Sequence, residues 1–126
     1  MLTEKDYCDY DTCVALEELG FIGQGRCYYD PDKEPNKLRR FGIPVLTTRR
    51  AKALNFVLAI HLYEAKKWLR EEKNLHIEVR WYSKLCYEYE VKEATGETLA
   101  VVTAYKTYEE ALSEGIKEAV KILKEK

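Results

Sequence analysis

Long apolar runs are missing from this chain. No uninterrupted apolar stretch approaches the roughly 18 residues that a membrane span needs, and Met1–Asp11 is acidic, where a secretion signal starts basic and then turns apolar. Neither an anchor nor a signal peptide is expected. Histidine is scarce, with only His61 and His76 to supply a base near neutral pH. The four cysteines, Cys8, Cys13, Cys27 and Cys86, are spaced irregularly. None shows the two-residue spacing of a zinc site, so a set built from Cys8 and Cys13 with Cys27 or His76 lacks its usual signature. A chain with this much core material stands without disulfides, and free thiols in a reducing, cytoplasmic compartment are expected. Gly20, Gly23 and Gly25 follow a helix rather than a strand and lack the lysine and hydroxyl of a phosphate loop.

What is present fits a folded α+β protein. At 126 residues, 46% apolar and 34% charged, the chain is too hydrophobic for disorder and too charged for a membrane protein. It is read as one domain over 1–126. The net charge is −1, which implies no whole-molecule attraction to nucleic acid or to an anionic membrane. The charges are unevenly placed, however: residues 1–35 sum to −6, residues 36–63 to +6 and residues 64–126 to −1. The preferred reading lets the acidic segment neutralise the basic one within the fold, with an external anionic partner as the alternative.

The pattern predicts a first helix from Asp11 or Thr12 to Leu19, stopped by Gly20, with Phe21 and Ile22 as the apolar clamp after the stop. A short strand over Arg26-Cys27-Tyr28-Tyr29 follows. Residues 30–47 read as irregular, given Pro31, Pro35 and Pro44. Asp30, Asp32 and Glu34 resemble the opening of a calcium loop, but Pro35 and Phe41 occupy its glycine and glutamate positions, which rules the loop out. Thr47 or Thr48 caps a helical pattern running to Lys73. It is read either as one helix or, with a break near Asn55 favoured, as a short helix, an extended piece and a helix from Leu62 to Lys73 ended by Asn74.

From His76 the period becomes two, with Ile77, Val79 and Trp81 on one face. Leu85, Tyr87, Tyr89 and Val91 alternate with Cys86, Glu88, Glu90 and Lys92, which predicts a strand with water on its polar face. After the turn Glu93–Glu97, Leu99–Tyr105 is apolar on both faces and reads as a central or interface strand. Thr107-Tyr108-Glu109-Glu110 is a capping box, opening a helix whose inner face carries Tyr108, Ala111, Leu112, Ile116, Ala119, Val120 and Leu123 and whose end carries Lys117, Lys121, Lys124 and Lys126. The expected architecture is an antiparallel sheet of three to four strands packed by helices. Its order is helix, short strand, irregular segment, helix, three strands and C-terminal helix.

The run His61-Leu62-Tyr63-Glu64-Ala65-Lys66-Lys67-Trp68-Leu69-Arg70-Glu71-Glu72-Lys73-Asn74-Leu75-His76-Ile77-Glu78-Val79, with Thr107–Leu112 and the closing helix, resembles a family of small uncharacterised proteins encoded in gut-bacterial genomes and in phage-derived or mobile elements. Lys67-Trp68-Leu69-Arg70-Glu71 is its most specific part, and roughly half the chain is covered. The resemblance implies a shared scaffold and a mobile-element setting, with no reaction to carry over. Helix, three antiparallel strands and helix is also the order of double-stranded RNA-binding domains. The turn at Thr107-Tyr108-Glu109-Glu110 lacks the lysines those domains place there and would repel phosphate. The three strands and the Thr-Tyr-Glu-Glu-Ala-Leu helix are also similar to antitoxins of the HicB type, which bind partners.

No catalytic, cofactor or metal set emerges. His61 lies beside an apolar run and His76 at a strand start, Cys86 has Glu88 beside it on the polar face, and Asp6, Asp9 and Asp11 are placed as carboxylates before a helix usually are. The leading expectation is a non-catalytic interaction module that binds itself or another protein through its sheet face or edge, near Trp81 and Tyr82. The second is nucleic-acid binding through Lys37, Arg39, Arg40, Arg49, Arg50 and Lys52. The third is a small enzyme whose site is not legible in the sequence. No membrane partner and no cofactor are expected.

Overall fold

A computed structural model describes residues 4–42, 45–84 and 86–125; Met1, Pro44, Leu85 and Lys126 of the sequence reading lie outside them. The fold is α+β with antiparallel sheets, and its contacts divide it into two units, Met1–His61 and Leu62–Lys126. No helix among the described residues is long and apolar enough to cross a membrane.

In the first unit a 3-10 turn at Glu4–Asp6 leads to helix α1, Tyr10–Glu18. Asp9 caps it by accepting from the Thr12 amide at 2.9 Å, so one of the acids before the helix has a capping role. Gly20 ends it at φ +105°, a conformation open to glycine, and the Phe21 amide reaches back to the Leu16 carbonyl at 2.9 Å. Phe21 is buried, as the clamp requires. Ile22 is 84% exposed and plays no part in it. The left-handed stop gives one apolar residue access to the helix, and the chain then turns away.

Five short strands complete this unit: β1 (Gln24–Gly25), β2 (Cys27–Tyr29), β3 (Arg39–Arg40), β4 (Leu46–Thr47) and β5 (Val57–Leu58). β1 pairs with β4, and β3-β2-β5 form a second small sheet, all antiparallel. The segment read as irregular therefore contributes two two-residue strands, held by pairing with distant residues. Helix α2, Thr48–Ala53, is capped by Thr47 and closes at Asn55 (φ 62°), where the Phe56 amide bonds to the Ala51 carbonyl at 2.8 Å. The break near Asn55 is thus a helix C-terminal cap followed by an extended piece. Cys8, Cys13, Leu16, Tyr29, Leu46, Leu58 and Ile60 are all buried. The Tyr29 hydroxyl donates to the Cys8 carbonyl at 2.7 Å inside this core.

In the second unit helix α3, Leu62–Lys73, ends at Asn74 (φ 56°) and leads straight into β6, Leu75–Ser83. β7 (Cys86–Glu93) and β8 (Thr98–Tyr105) follow, then helix α4 (Tyr108–Lys124). Thr107 caps α4 by accepting from the Glu110 amide at 3.1 Å. The sheet order is β6-β7-β8, so β7 is central and β8 is an edge. Leu99–Tyr105 is therefore not a central strand: two consecutive hairpins place the middle strand of three in the middle of the sheet, whatever its side chains. Its apolar character is left on an edge, where Val101 is 46% exposed. Helix α4 packs on β6 and β7, with α3 against β6 and α4. The buried residues Leu69, Ile77, Tyr89, Val91, Leu112, Ile116 and Ala119 make this core.

Candidate functional site

Three surfaces carry the residues singled out in the sequence. The first is the sheet of the second unit. Trp81 lies opposite Tyr87, and Tyr87 opposite Tyr105, so one aromatic residue from each strand forms a row across one face of the sheet. Tyr108, at the start of α4, meets Tyr87 edge to face at 6.4 Å and stacks with Tyr63 at the same separation. Tyr105 also stacks with Tyr89 at 5.8 Å. The inner ring of this group is desolvated, and burial pushes the Tyr89 hydroxyl up to about 12. Trp81, at the outer end of the row, stands in solvent at 67% exposed, and its chain neighbour Tyr82, at the register shift of β6, is 66% exposed.

The opposite face of that sheet is polar and meets solvent through Arg80, Glu78, Thr98 and Thr103, which cover the two acids between them. Glu88 and Glu90 are only 8% and 7% exposed. Arg80 spans both, with Nε 2.8 Å from one Glu88 oxygen and Nη2 2.6 Å from a Glu90 oxygen, while Nη1 binds Glu78 at 3.0 Å. Thr103 donates to Glu88 at 2.8 Å, Thr98 donates to Glu90, and Lys92 lies 3.7 Å from Glu90. The threonine donors and the guanidinium hold both carboxylates below the ordinary carboxylate range. Their hydrogen bonds raise Arg80 in turn. The expected wet face is present and carries an ionic lattice, because a single arginine at this register reaches two acids on the neighbouring strand.

Along β8 the register steps from Tyr105 to Thr103 and from Ala100 to Thr98. Ala104 and Leu99 are extra residues that bend the strand at its two ends. Between them Ala100, Val101, Val102 and Thr103 pair regularly with β7. No residue of β8 is charged and none is proline. The other edge, β6, carries His76, Glu78 and Arg80.

The second surface is the basic segment of the first unit. Arg39 and Arg40 lie on β3, opposite Tyr28 and Cys27. Arg49, Arg50 and Lys52 are exposed on α2, and Lys37 is exposed in the turn before β3. Arg39 donates to the Lys33 carbonyl at 3.1 Å. Among the described residues none of these six cations forms an ion pair with an acid. Among the described residues no direct pairing with the acidic segment occurs, although Glu17, Glu18 and Asp32 of that segment line one concavity with Lys52. Beside Arg39, Tyr28 stacks on Phe56 at 4.2 Å and meets Phe41 edge to face at 6.1 Å.

The third is a concavity of about 620 Å³ in the first unit, lined among others by Tyr10, Glu17, Glu18, Asp32, Lys52 and Phe56. It has no histidine, cysteine, serine or threonine in its lining. Elsewhere, His61 forms a bridge and a ring contact with Tyr7, and His76 faces Lys92 across the sheet. All four cysteines are free. The Cys13 thiol donates to the Cys8 carbonyl at 3.5 Å. A side-chain hydrogen bond with Cys13, together with burial, pushes the Cys8 thiol well above its ordinary value, the opposite of an activated nucleophile. No group of three histidine, cysteine, aspartate or glutamate side chains among the described residues is placed to hold a metal ion. Sequence reasoning missed the concavity, whose lining spans Tyr10 to Val57. It also missed the Arg80 lattice, which period-two alternation signals only as a polar face.

No protein-family model, curated protein or solved structure matches this chain.

Proposed function

We propose that this protein is a non-catalytic interaction module that associates with a second copy of itself through the open edge of β8. The observation that carries the reading is the chemistry of that edge. Exposed edge strands are blunted by charge, proline or bulges; β8 has bulges only at its two ends and neither charge nor proline between them, whereas β6 at the other edge is charged. Two copies of Ala100–Thr103 running antiparallel bring no like charges together and satisfy one another's free backbone groups. A mobile-element setting is part of this proposal and rests on the resemblance of His61–Val79 and Thr107–Leu112 alone, and the four free thiols suit a reducing cytoplasm. Sedimentation velocity over a range of concentrations tests it. A reversible dimer is expected, Val101→Lys should shift it to monomer without changing the circular dichroism spectrum, and a wild-type protein that stays monomeric at high concentration refutes it.

A second reading, binding of single-stranded nucleic acid by the first unit, is favoured by its unpaired cations and by the half-buried rings of Tyr28, Phe41 and Phe56 beside Arg39. Binding of a labelled oligonucleotide should then weaken steeply with salt, and Arg39→Ala with Arg40→Ala should flatten the slope. No binding at low salt removes this reading.

A further inference from the structure

Beyond association along β8, the aromatic row on the helix side of the sheet has a spacing that selects an occupant. Trp81, Tyr87 and Tyr105 stand in register on β6, β7 and β8, and Tyr108 at the start of α4 meets Tyr87 edge to face. Trp81 is exposed and Tyr87 and Tyr105 are half-buried, so the row is open to a ligand. Opposed residues of antiparallel strands are about 4.5–5.5 Å apart between Cα atoms, so Trp81 and Tyr105 lie roughly 10 Å apart with Tyr87 between them. A polyproline II helix repeats every three residues, about 9.3 Å, and prolines at that interval on one of its sides fall on the two outer rings. Each ring of the row also carries a donor, the indole N–H or a phenolic hydroxyl. A polyproline II segment has no internal hydrogen bonds and leaves its carbonyls free to accept, whereas an α-helix has used its own. Burial raises the Tyr105 hydroxyl first, followed by Glu114, Glu110 and Glu118 with Lys117 opposing, so acids dominate the field on this side of the row. Phosphates are repelled there and a cation is drawn in. We propose that this row docks a proline-rich segment of a partner protein, with prolines three residues apart on Trp81 and Tyr105 and a basic residue beside the first turn of α4.

The probe is an acetylated octaproline ending in arginine amide, added to the isotope-labelled full chain and followed by nuclear magnetic resonance. Signals of Trp81, Tyr87 and Tyr105 should shift, and an alanine peptide of equal length with the same arginine should leave them in place. Trp81→Ala should weaken binding by about tenfold or more, the loss expected of an anchoring ring, while Trp81→Phe, which keeps a ring, should retain most of it. Glu109→Gln with Glu110→Gln should weaken the arginine-ended peptide and leave octaproline amide unchanged; glutamine also serves in a capping box, so α4 keeps its start. Val101→Lys, on the opposite face of β8, should bind the peptide as the wild type does, which separates this site from the self-association interface. No shift at millimolar peptide, equal binding of the alanine peptide, or Trp81→Ala at wild-type affinity overturns the proposal. Loss of binding in Val101→Lys would move the peptide to the β8 edge and overturn it too. Oligothymidine or maltohexaose shifting the same signals more strongly than the proline peptide would assign the row to nucleic acid or to sugar, with the same consequence.

Discussion

Gly115→Ala puts a single methyl group between α4 and the sheet, and its effect reports how closely the two approach. A Cβ at this position would stand 2.8 Å from Ile77 Cγ2 and 3.3 Å from both Cβ and Cγ of Tyr89. Neither neighbour can swing aside: Cγ2 belongs to a β-branched stem fixed in β6, and the Tyr89 Cβ is attached to the central strand. Two terms favour alanine, since it is a better helix former than glycine by about 1 kcal/mol and burying a methyl group is worth about 0.8 kcal/mol. Against them, forcing a methyl group into a packed core costs about 1–3 kcal/mol, occasionally more. With one contact well below any ordinary carbon separation and two more that are tight, the cost belongs at or above the top of that range. The expected net loss is about 1–2 kcal/mol, or a fall in melting temperature of roughly 5–15 °C for a unit of this size. Thermal denaturation followed by circular dichroism measures it, with Ser113→Ala on the same helix as a control that should be neutral or slightly stabilising. In an Ile77→Ala background, which itself costs about 2–5 kcal/mol, the further step Gly115→Ala should cost less than in the wild type, because the nearest atom is gone. A Gly115→Ala protein as stable as the wild type or more so would show that α4 does not lie this close to β6 and β7.

Other consequences are as direct. Glu88 and Glu90 titrate below their ordinary range in the folded protein, so the stability they add is present above the unfolded carboxylate value and is lost as pH falls through their depressed folded values. Melting temperature should therefore drop on acidification, and Glu88→Gln with Glu90→Gln should flatten that dependence. Arg80→Met removes the guanidinium but leaves the Thr103 and Thr98 donors and Lys92 in place, so this variant should lose less stability on acidification than the wild type while keeping its sign. Tyr89, held up to about 12 by burial, adds stability that is complete below the ordinary tyrosine value and fades as pH rises through its folded one. Tyr89→Phe should reduce the alkaline loss of stability in pH-dependent melts. Tyr29→Phe removes a buried hydroxyl donor to the Cys8 carbonyl and should cost about 1 kcal/mol in denaturant unfolding, since that carbonyl keeps the Cys13 thiol as a partner.

Features that depend on neighbours in sequence were legible, and those that depend on pairing between distant residues were not. Thr107 and Glu110 mark the start of α4 because a cap needs only a hydroxyl and an amide three residues on. Asn55 and Asn74 mark helix ends because asparagine tolerates positive φ. Strand order is different in kind: the apolar content of Leu99–Tyr105 suits a central strand as well as an exposed edge, and hairpin connectivity decides between them. Gly115 went unread because glycine in a helix signals only a local penalty until the sheet beneath it is known. The same holds for Glu88 and Glu90, polar by pattern and buried only because Arg80 reaches across from β6. Of the residues proposed for partner binding, Trp81 and Tyr82 are the most exposed aromatics of the second unit. The six cations form no ion pair among the described residues, which an uneven charge count could not foretell.

Self-association through β8 is read most directly in amide hydrogen exchange of the wild-type protein at several concentrations. If two copies join along this edge, the amides of Ala100–Thr103 that face away from β7 gain protection as concentration rises. Those on the outer edge of β6 do not change, and Val101→Lys abolishes the gain. Protection along β8 that is independent of concentration, or a concentration-dependent gain confined to other elements, would contradict it.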